Sequence, residues 1–250
     1  MESRSELVET LGRARQGSQQ RMRQLLQSSP RRAHALLRAS IRHGLIGPHG
    51  QVDEGALVLD MTMSRNSVRS ALQKLTDEHL ITRRQRLGTT VVASIAELPL
   101  LELLPIAELT SGADLAEGLA LQPLEQLLVL ADQHIKAQLA LETDFVLMQE
   151  DLLTQRGEPI GIIVGYYCIP ESFRAEDKPH RDISRKFTPG TFTATVEAVN
   201  ADDRTAKSLG VAPGSALLVR ETLVHDTEGT PRMLAYGHYR GDRVALRAVS

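Results

Sequence analysis

The chain is poor in the features that mark several large classes of protein. Its 250 residues include one cysteine, Cys168. A single thiol excludes an internal disulfide and a cysteine-based zinc site. It sits in an apolar run, where a lone cysteine is read as a small buried hydrophobe. No stretch of 18 apolar residues occurs, so no membrane-spanning helix is expected. The N-terminal residues lack the apolar core of a secretion signal, and the chain is expected to be cytoplasmic. The eight histidines are scattered, with no pair at ligand spacing beside a third donor, so no metal is expected. There is no glycine-rich phosphate loop and no Gly-x-Ser-x-Gly elbow, and no cofactor is expected. The Glu176-Asp177 pair with Lys178 and Arg181 reads as a solvated loop.

The formal net charge is −2, but its distribution is uneven. Residues 1–95 hold 15 Lys and Arg against 8 Asp and Glu, while residues 96–250 hold 14 against 23. A basic first part joined to an acidic second part suggests that only the first meets nucleic acid. The length suffices for two domains with cores of their own.

Residues 53–92 carry the most specific pattern. Leu57, Val58, Met61 and Met63 supply the apolar side of a short helix and turn. Ser64 is an N-cap for a second helix, because its hydroxyl can accept from an otherwise unpaired amide of the first turn. Val68, Ala71, Leu72 and Leu75 follow at i, i+3, i+4 and i+7 and form one buried stripe. Arg65, Asn66, Arg69 and Gln73 fall opposite. Arginine and asparagine are the side chains that read guanine and adenine in bidentate fashion. Two arginines on a helix face are also common on solvated helices, so the flanking sequence has to decide. It supplies a strand from Leu80 and Ile81, then Arg83, Arg84 and Arg86, a turn at Gly88 and Thr89, and a return strand at Val91 and Val92. A hairpin this basic fits a phosphate backbone. Helix, turn, helix and basic hairpin in this order are a winged helix-turn-helix. The helix before it is expected over about 31–43, with Ala33, Leu36, Leu37 and Ile41 inward and Gly44 as its stop.

These residues resemble the DNA-binding domain of the GntR regulators. The run Ser64-Arg65-x-x-Val68-Arg69-x-Ala71-Leu72-x-x-Leu75 is that family's most diagnostic segment, and Ile41, Gly44, Gly47, Pro48, His49 and Gly50 match its first helix end and loop. Thr62 stands where the family usually has Gly, and Thr90 where the wing usually has an aromatic residue. The resemblance implies DNA contacts at Ser64, Arg65, Asn66, Ser67 and Arg69, and at the wing tip Arg86 to Thr89, to which the charge pattern adds Arg83 and Arg84.

The remainder reads as an Arg- and Gln-rich extension over 1–30, either a mobile arm or an extra docking helix, a DNA-binding domain over 31–93, a linker over 94–105, and a second domain over 106–250. Leu124 to Ile135 has helical spacing; β patterning follows from about 143, with turns at 156–159 and 227–230, a polar loop at 171–189, and a short helix at 205–209 closed by Gly210. Gly157-Glu158-Pro159, Tyr167-x-Ile169-Pro170, Leu209-Gly210-Val211, Leu217-Leu218-x-Arg220, Asp226-x-x-Gly229-x-Pro231 and Tyr239-Arg240-Gly241-Asp242-Arg243 resemble, in this order, a UTRA domain, the effector-binding module of the HutC branch of the GntR family.

The two resemblances together imply an α+β protein: a winged helix-turn-helix followed by a chorismate lyase-like antiparallel sheet. They imply a bacterial transcriptional regulator, a repressor, that binds an inverted-repeat operator in double-stranded DNA as a homodimer and is released by a small-molecule effector. Positions where sugar-phosphate-binding UTRA domains carry Arg and Glu fall on Asp151, Leu153, Ile163 and Met233. A site without paired guanidinium groups cannot hold a dianion in bidentate fashion. The expected effector is therefore apolar or aromatic and not a sugar phosphate, lying against Tyr166, Tyr167, Met233 and Tyr236 with Arg220 as its charge partner. Two other readings are a DNA-binding protein whose second domain only dimerises, and a chorismate lyase-like enzyme; the sequence offers no acid-base or anion-binding constellation for the latter.

Overall fold

The computed structural model describes residues 29–47, 49–84, 88–100, 118–169 and 188–248. The N-terminal extension up to residue 28, Pro48, Arg86, and residues 170–187 of the polar stretch, with Glu176 and Asp177, lie outside the described residues. Chain contacts divide the protein into two compact units that meet between Ile95 and Ala96.

The first unit contains α1 (Pro30–Arg42), β1 (Gln51–Val52), α2 (Glu54–Asp60), α3 (Arg65–Asp77), β2 (Ile81–Arg84) and β3 (Gly88–Val91). Pro30 opens α1, a position where the missing amide costs nothing. Ala33, Leu37 and Ile41 form its buried line; α1 packs against α3, whose Val68, Ala71, Leu72 and Leu75 are buried as well. Leu36, expected inward, is 41% exposed, because the i, i+4, i+8 line through 33, 37 and 41 leaves it on the flank. His34 and Arg38 of α1 reach Glu78, just past α3, at 2.8 and 2.6 Å. The wing is a three-stranded sheet, β1-β3-β2, and not the two-stranded hairpin expected: Gln51 and Val52 pair with Thr90 and Thr89.

The second unit begins with β4 (Ala96–Pro99), which pairs in parallel with β11 (Val244–Arg247). The expected linker over 94–105 therefore contributes a strand. Ala96 and Leu98 enter one core cluster with Leu121, Leu153, Ile160, Tyr239 and Val244.

The main sheet is antiparallel. It holds β5 (Leu119–Leu130), β6 (Phe145–Gln155), β7 (Glu158–Tyr167), β8 (Pro189–Asn200), β9 (Ala216–Asp226) and β10 (Pro231–Arg240), in the order β5-β6-β7-β10-β9-β8. Helix α4 (Gln133–Leu139) follows β5, and α5 (Asp203–Leu209) follows β8. The helical spacing at 124–135 is overturned: residues up to Leu130 form β5. A register shift between Pro123 and Glu125 leaves Leu124 out of the ladder and resets the strand alternation, so Leu124, Leu127 and Leu128 mimic helical spacing while Leu127 and Leu128 pair with Met148 and Leu147 of β6.

The mirrored strand order reflects an internal repeat. Strand, helix and two strands over 119–167 recur over 189–240. Asp132 and Asp202 cap the two helices, accepting from Ile135 N at 2.8 Å and Thr205 N at 2.9 Å. Ala131 and Leu139 are buried in one copy, Ala201 and Leu209 in the other. Ala140 and Gly210 end the helices in left-handed conformation. Gly157 (φ 83°) and Gly229 (φ 82°) turn the two hairpins. Gly165-Tyr166-Tyr167 corresponds to Gly237-His238-Tyr239. A Cβ on Gly165 would meet the Tyr167 ring, and one on Gly237 the Tyr239 ring, so each glycine makes room for the tyrosine two residues on.

Candidate nucleic-acid interface and effector site

Helix α3 is built to present its first turns. Ser67 N donates to Ser64 Oγ at 3.1 Å, the cap anticipated from sequence and a contact of about 1 kcal/mol. Arg65, Asn66 and Arg69 are exposed on the face opposite the buried stripe. Ser67 is not: it is 4% exposed, and its Oγ lies 2.9 Å from Ser64 Oγ. Its position one residue before Val68 turns it under the helix start, so its side chain is withdrawn from the outer face. In the wing, Arg83 and Arg84 are exposed and stand opposite Thr89 and Gly88 in register. Gly88 has φ 89°, a conformation that favours glycine.

One acidic residue that sequence reasoning passed over joins these two elements. Glu54, at the first position of α2, meets Arg69 Nε with one carboxylate oxygen at 2.6 Å and Arg83 Nη2 with the other at 3.3 Å. Recognition helix and wing are thus tied through Glu54 of α2. Asp53 fixes the start of α2 by accepting from Gly55 N at 2.7 Å. The signal was a carboxylate immediately after a capping Asp, inside a segment otherwise dominated by cations.

In the second unit the candidate effector residues divide between the two faces of the sheet. Successive residues on a strand point to opposite faces. Met233 pairs with Tyr167, and Gly237 with Arg220, which places Tyr167, Met233 and Arg220 on one face. Tyr166 and Tyr236 project from the other, as an edge-to-face pair with centroids 6.4 Å apart. The five residues expected to line one pocket are therefore not brought together. Asp151 pairs with Ile163 and shares the first face with Leu153 and Met233.

That first face is polar at its centre. Gln149, Asp151, Arg220 and Thr222 are all buried there. Gln149 Nε2 donates to Asp151 Oδ2 at 2.8 Å. Arg220 donates from Nη1 to the Pro99 carbonyl, and its guanidinium carbon lies 5.8 Å from the Tyr239 ring centroid. Its Nε and the Thr222 hydroxyl are buried without a hydrogen-bond partner. Burial, reinforced by the Asp151 carboxylate, pushes the Tyr167 phenol well above its ordinary pKa. Among the described residues no group of three His, Cys, Asp or Glu is placed to hold a metal ion, and no helix is long and apolar enough to cross a membrane.

A winged helix-turn-helix followed by a six-stranded antiparallel sheet with two short helices defines a two-domain regulator. Residues 30–91 match the family of bacterial regulatory proteins of the gntR type, and residues 168–245 match the UTRA domain. The chain belongs to the GntR family of transcriptional regulators, and its pairing of the two domains is consistent with the HutC subfamily. The crystal structure of PhnF from Mycobacterium smegmatis has the same fold, with a TM-score of 0.56 at 23% identity over 87% of this chain and 98% of that one. A second structure, of a protein assigned to the GntR family of transcriptional regulators, gives 0.50 at 18% identity over 88% and 96%. No curated protein sequence matches the chain.

Proposed function

We propose that the protein is a repressor that binds an inverted-repeat operator as a homodimer and leaves it when a small molecule binds the second domain. What carries the DNA-binding part is the exposed Arg65, Asn66 and Arg69 face of α3, flanked by Arg83 and Arg84 of the wing. Arg65 and Asn66 read base edges in the major groove, and the wing cations meet phosphate. A two-fold dimer matches a palindromic site. The effector acts by binding one conformation of the dimer better than the other.

The effector carries at most one negative charge. Asp151 occupies the sheet face on which Arg220 is the buried guanidinium, with Nε still free to donate. A single carboxylate suits that donor, and a dianionic phosphate meets the Asp151 carboxylate without a second cation to offset it.

Selection of bound sequences from random duplex DNA tests the reading. The expected result is an inverted repeat that two chains occupy together. Recovery of no preferred sequence, or of a single half-site bound by one chain, overturns it.

A further inference from the structure

The helix-bearing face of the sheet carries an open cavity of about 450 Å³, within the range of about 300–1,000 Å³ usual for small-molecule sites. Its floor is Met148, Ile162 and Val164, and Thr205 and Ser208 of α5 form a wall. It lies on the face opposite Arg220, so it is separate from the effector site assigned above and does not depend on it.

The internal repeat shows what the cavity lacks. Val164 corresponds to Tyr236, and the two are also direct cross-strand partners, so the repeat axis passes between them. Glu150 corresponds to Glu221, and Arg204 to His134. In the copy that holds Tyr236, its hydroxyl lies 3.0 Å from His134 Nε2, and His134 lies 4.0 Å from Glu221. Burial first, then Glu221, pushes that phenol far above its ordinary pKa, so it stays protonated. In the other copy the equivalent pair is present, with Arg204 Nη2 at 3.4 Å from Glu150 Oε2, but the floor position carries Val164 where the first copy has the Tyr236 ring. The polar pair that receives a phenol in one half is thus kept in the other beside an open cavity.

We propose that this cavity binds a small hydroxylated aromatic ring, in the place that Tyr236 fills in the other half, with its hydroxyl donating to Glu150 and accepting from Arg204. The apolar floor takes the ring, and Tyr166 and His238 flank it. Charge selects the substituent. Glu125, Glu150 and Asp202 line the cavity against Arg204. Burial lowers the pKa of His238, which leaves it neutral near pH 7. The surplus of carboxylates favours a neutral or cationic ring substituent and disfavours an anionic one.

Calorimetric titration of the full chain with three probes tests this. Tyramine carries ring, hydroxyl and ammonium; 2-phenylethylamine lacks the hydroxyl; 4-hydroxybenzoate carries a carboxylate in place of the ammonium. Tyramine is expected to bind, and each of the other two to bind at least about tenfold more weakly. Val164→Tyr, which installs the ring found in the mate position, should abolish tyramine binding with the circular dichroism spectrum unchanged. Glu150→Gln keeps the shape and should weaken tyramine about tenfold. Absence of tyramine binding at millimolar concentration, equal affinity for tyramine and 2-phenylethylamine, or unchanged affinity in both variants would overturn the assignment. None of these outcomes bears on DNA binding, so failure here leaves the operator reading standing on its own test.

Discussion

Glu54 holds the Arg69 guanidinium at 2.6 Å through Nε, on the exposed side of the recognition helix that also carries Arg65, Asn66 and Gln73. With Arg83 at 3.3 Å on its other oxygen, Glu54 competes with phosphate for two of the candidate DNA contacts. Arg69 and Arg83 nevertheless remain 61% and 35% exposed, so both can exchange Glu54 for DNA. The pairing restrains both cations without removing them from the surface, and on the proposed reading it should penalise loose backbone binding more than a fitted operator complex.

Glu54→Gln should therefore strengthen binding to random DNA and steepen the dependence of log K on log salt by about one unit. Titration of labelled non-operator duplex at several salt concentrations measures both. A variant with the wild-type slope would show that Glu54 restrains neither arginine.

Neutralising Arg83 or Arg84 should act in the opposite sense. Each phosphate contact removed lowers the salt slope by about one, with similar losses across operator variants. Two single variants with the wild-type slope would remove the wing from the backbone contact.

Thr62 lies in the turn of the helix-turn-helix at φ 52°, a region that a β-branched residue enters at a cost of about 1–2 kcal/mol. Thr62→Gly relieves that strain but gives the unfolded chain more freedom. The net expectation is a gain of up to about 1 kcal/mol in the stability of the first unit. Urea denaturation followed by circular dichroism checks it. A loss of stability would mean that the threonine side chain contributes more than its backbone costs.

The effector reading predicts no heat on titration with an amino-sugar phosphate. Micromolar binding of that ligand would show that Asp151 and Met233 do not line the effector site as proposed.

Much of the first unit was legible because its signals are local. Ser64 caps its helix, and the stripe through Val68, Ala71, Leu72 and Leu75 is buried, as their spacing requires. Ser67 and Glu54 were harder, since burial of one and pairing of the other depend on how the chain packs around them. In the second unit, β6 through β10 followed from alternation and turn residues, but β5 did not. Its leucines satisfy a helical template, and only pairing with β6 makes it a strand. Side-chain facing was the main loss. Tyr166 and Tyr167 are neighbours in sequence and lie on opposite faces, which strand alternation alone implied. The repeat was also present in the sequence, in the shared Ala-Asp start of the two helices at 131 and 201 and in the Gly-Tyr-Tyr and Gly-His-Tyr strand ends, and it became visible once the strand order was known.

The central claim is that α3 reads base identity, and Arg65 is the side chain on which it bears most directly. Binding of wild type and Arg65→Ala should be compared at fixed salt on the selected operator and on versions changed one base pair at a time in both half-sites. Wild type should lose roughly 1–3 kcal/mol at one base-pair position per half-site, and Arg65→Ala, still folded, should bind the parent operator more weakly by a similar amount and become indifferent to that position. Equal discrimination by the two proteins at every position would contradict the account.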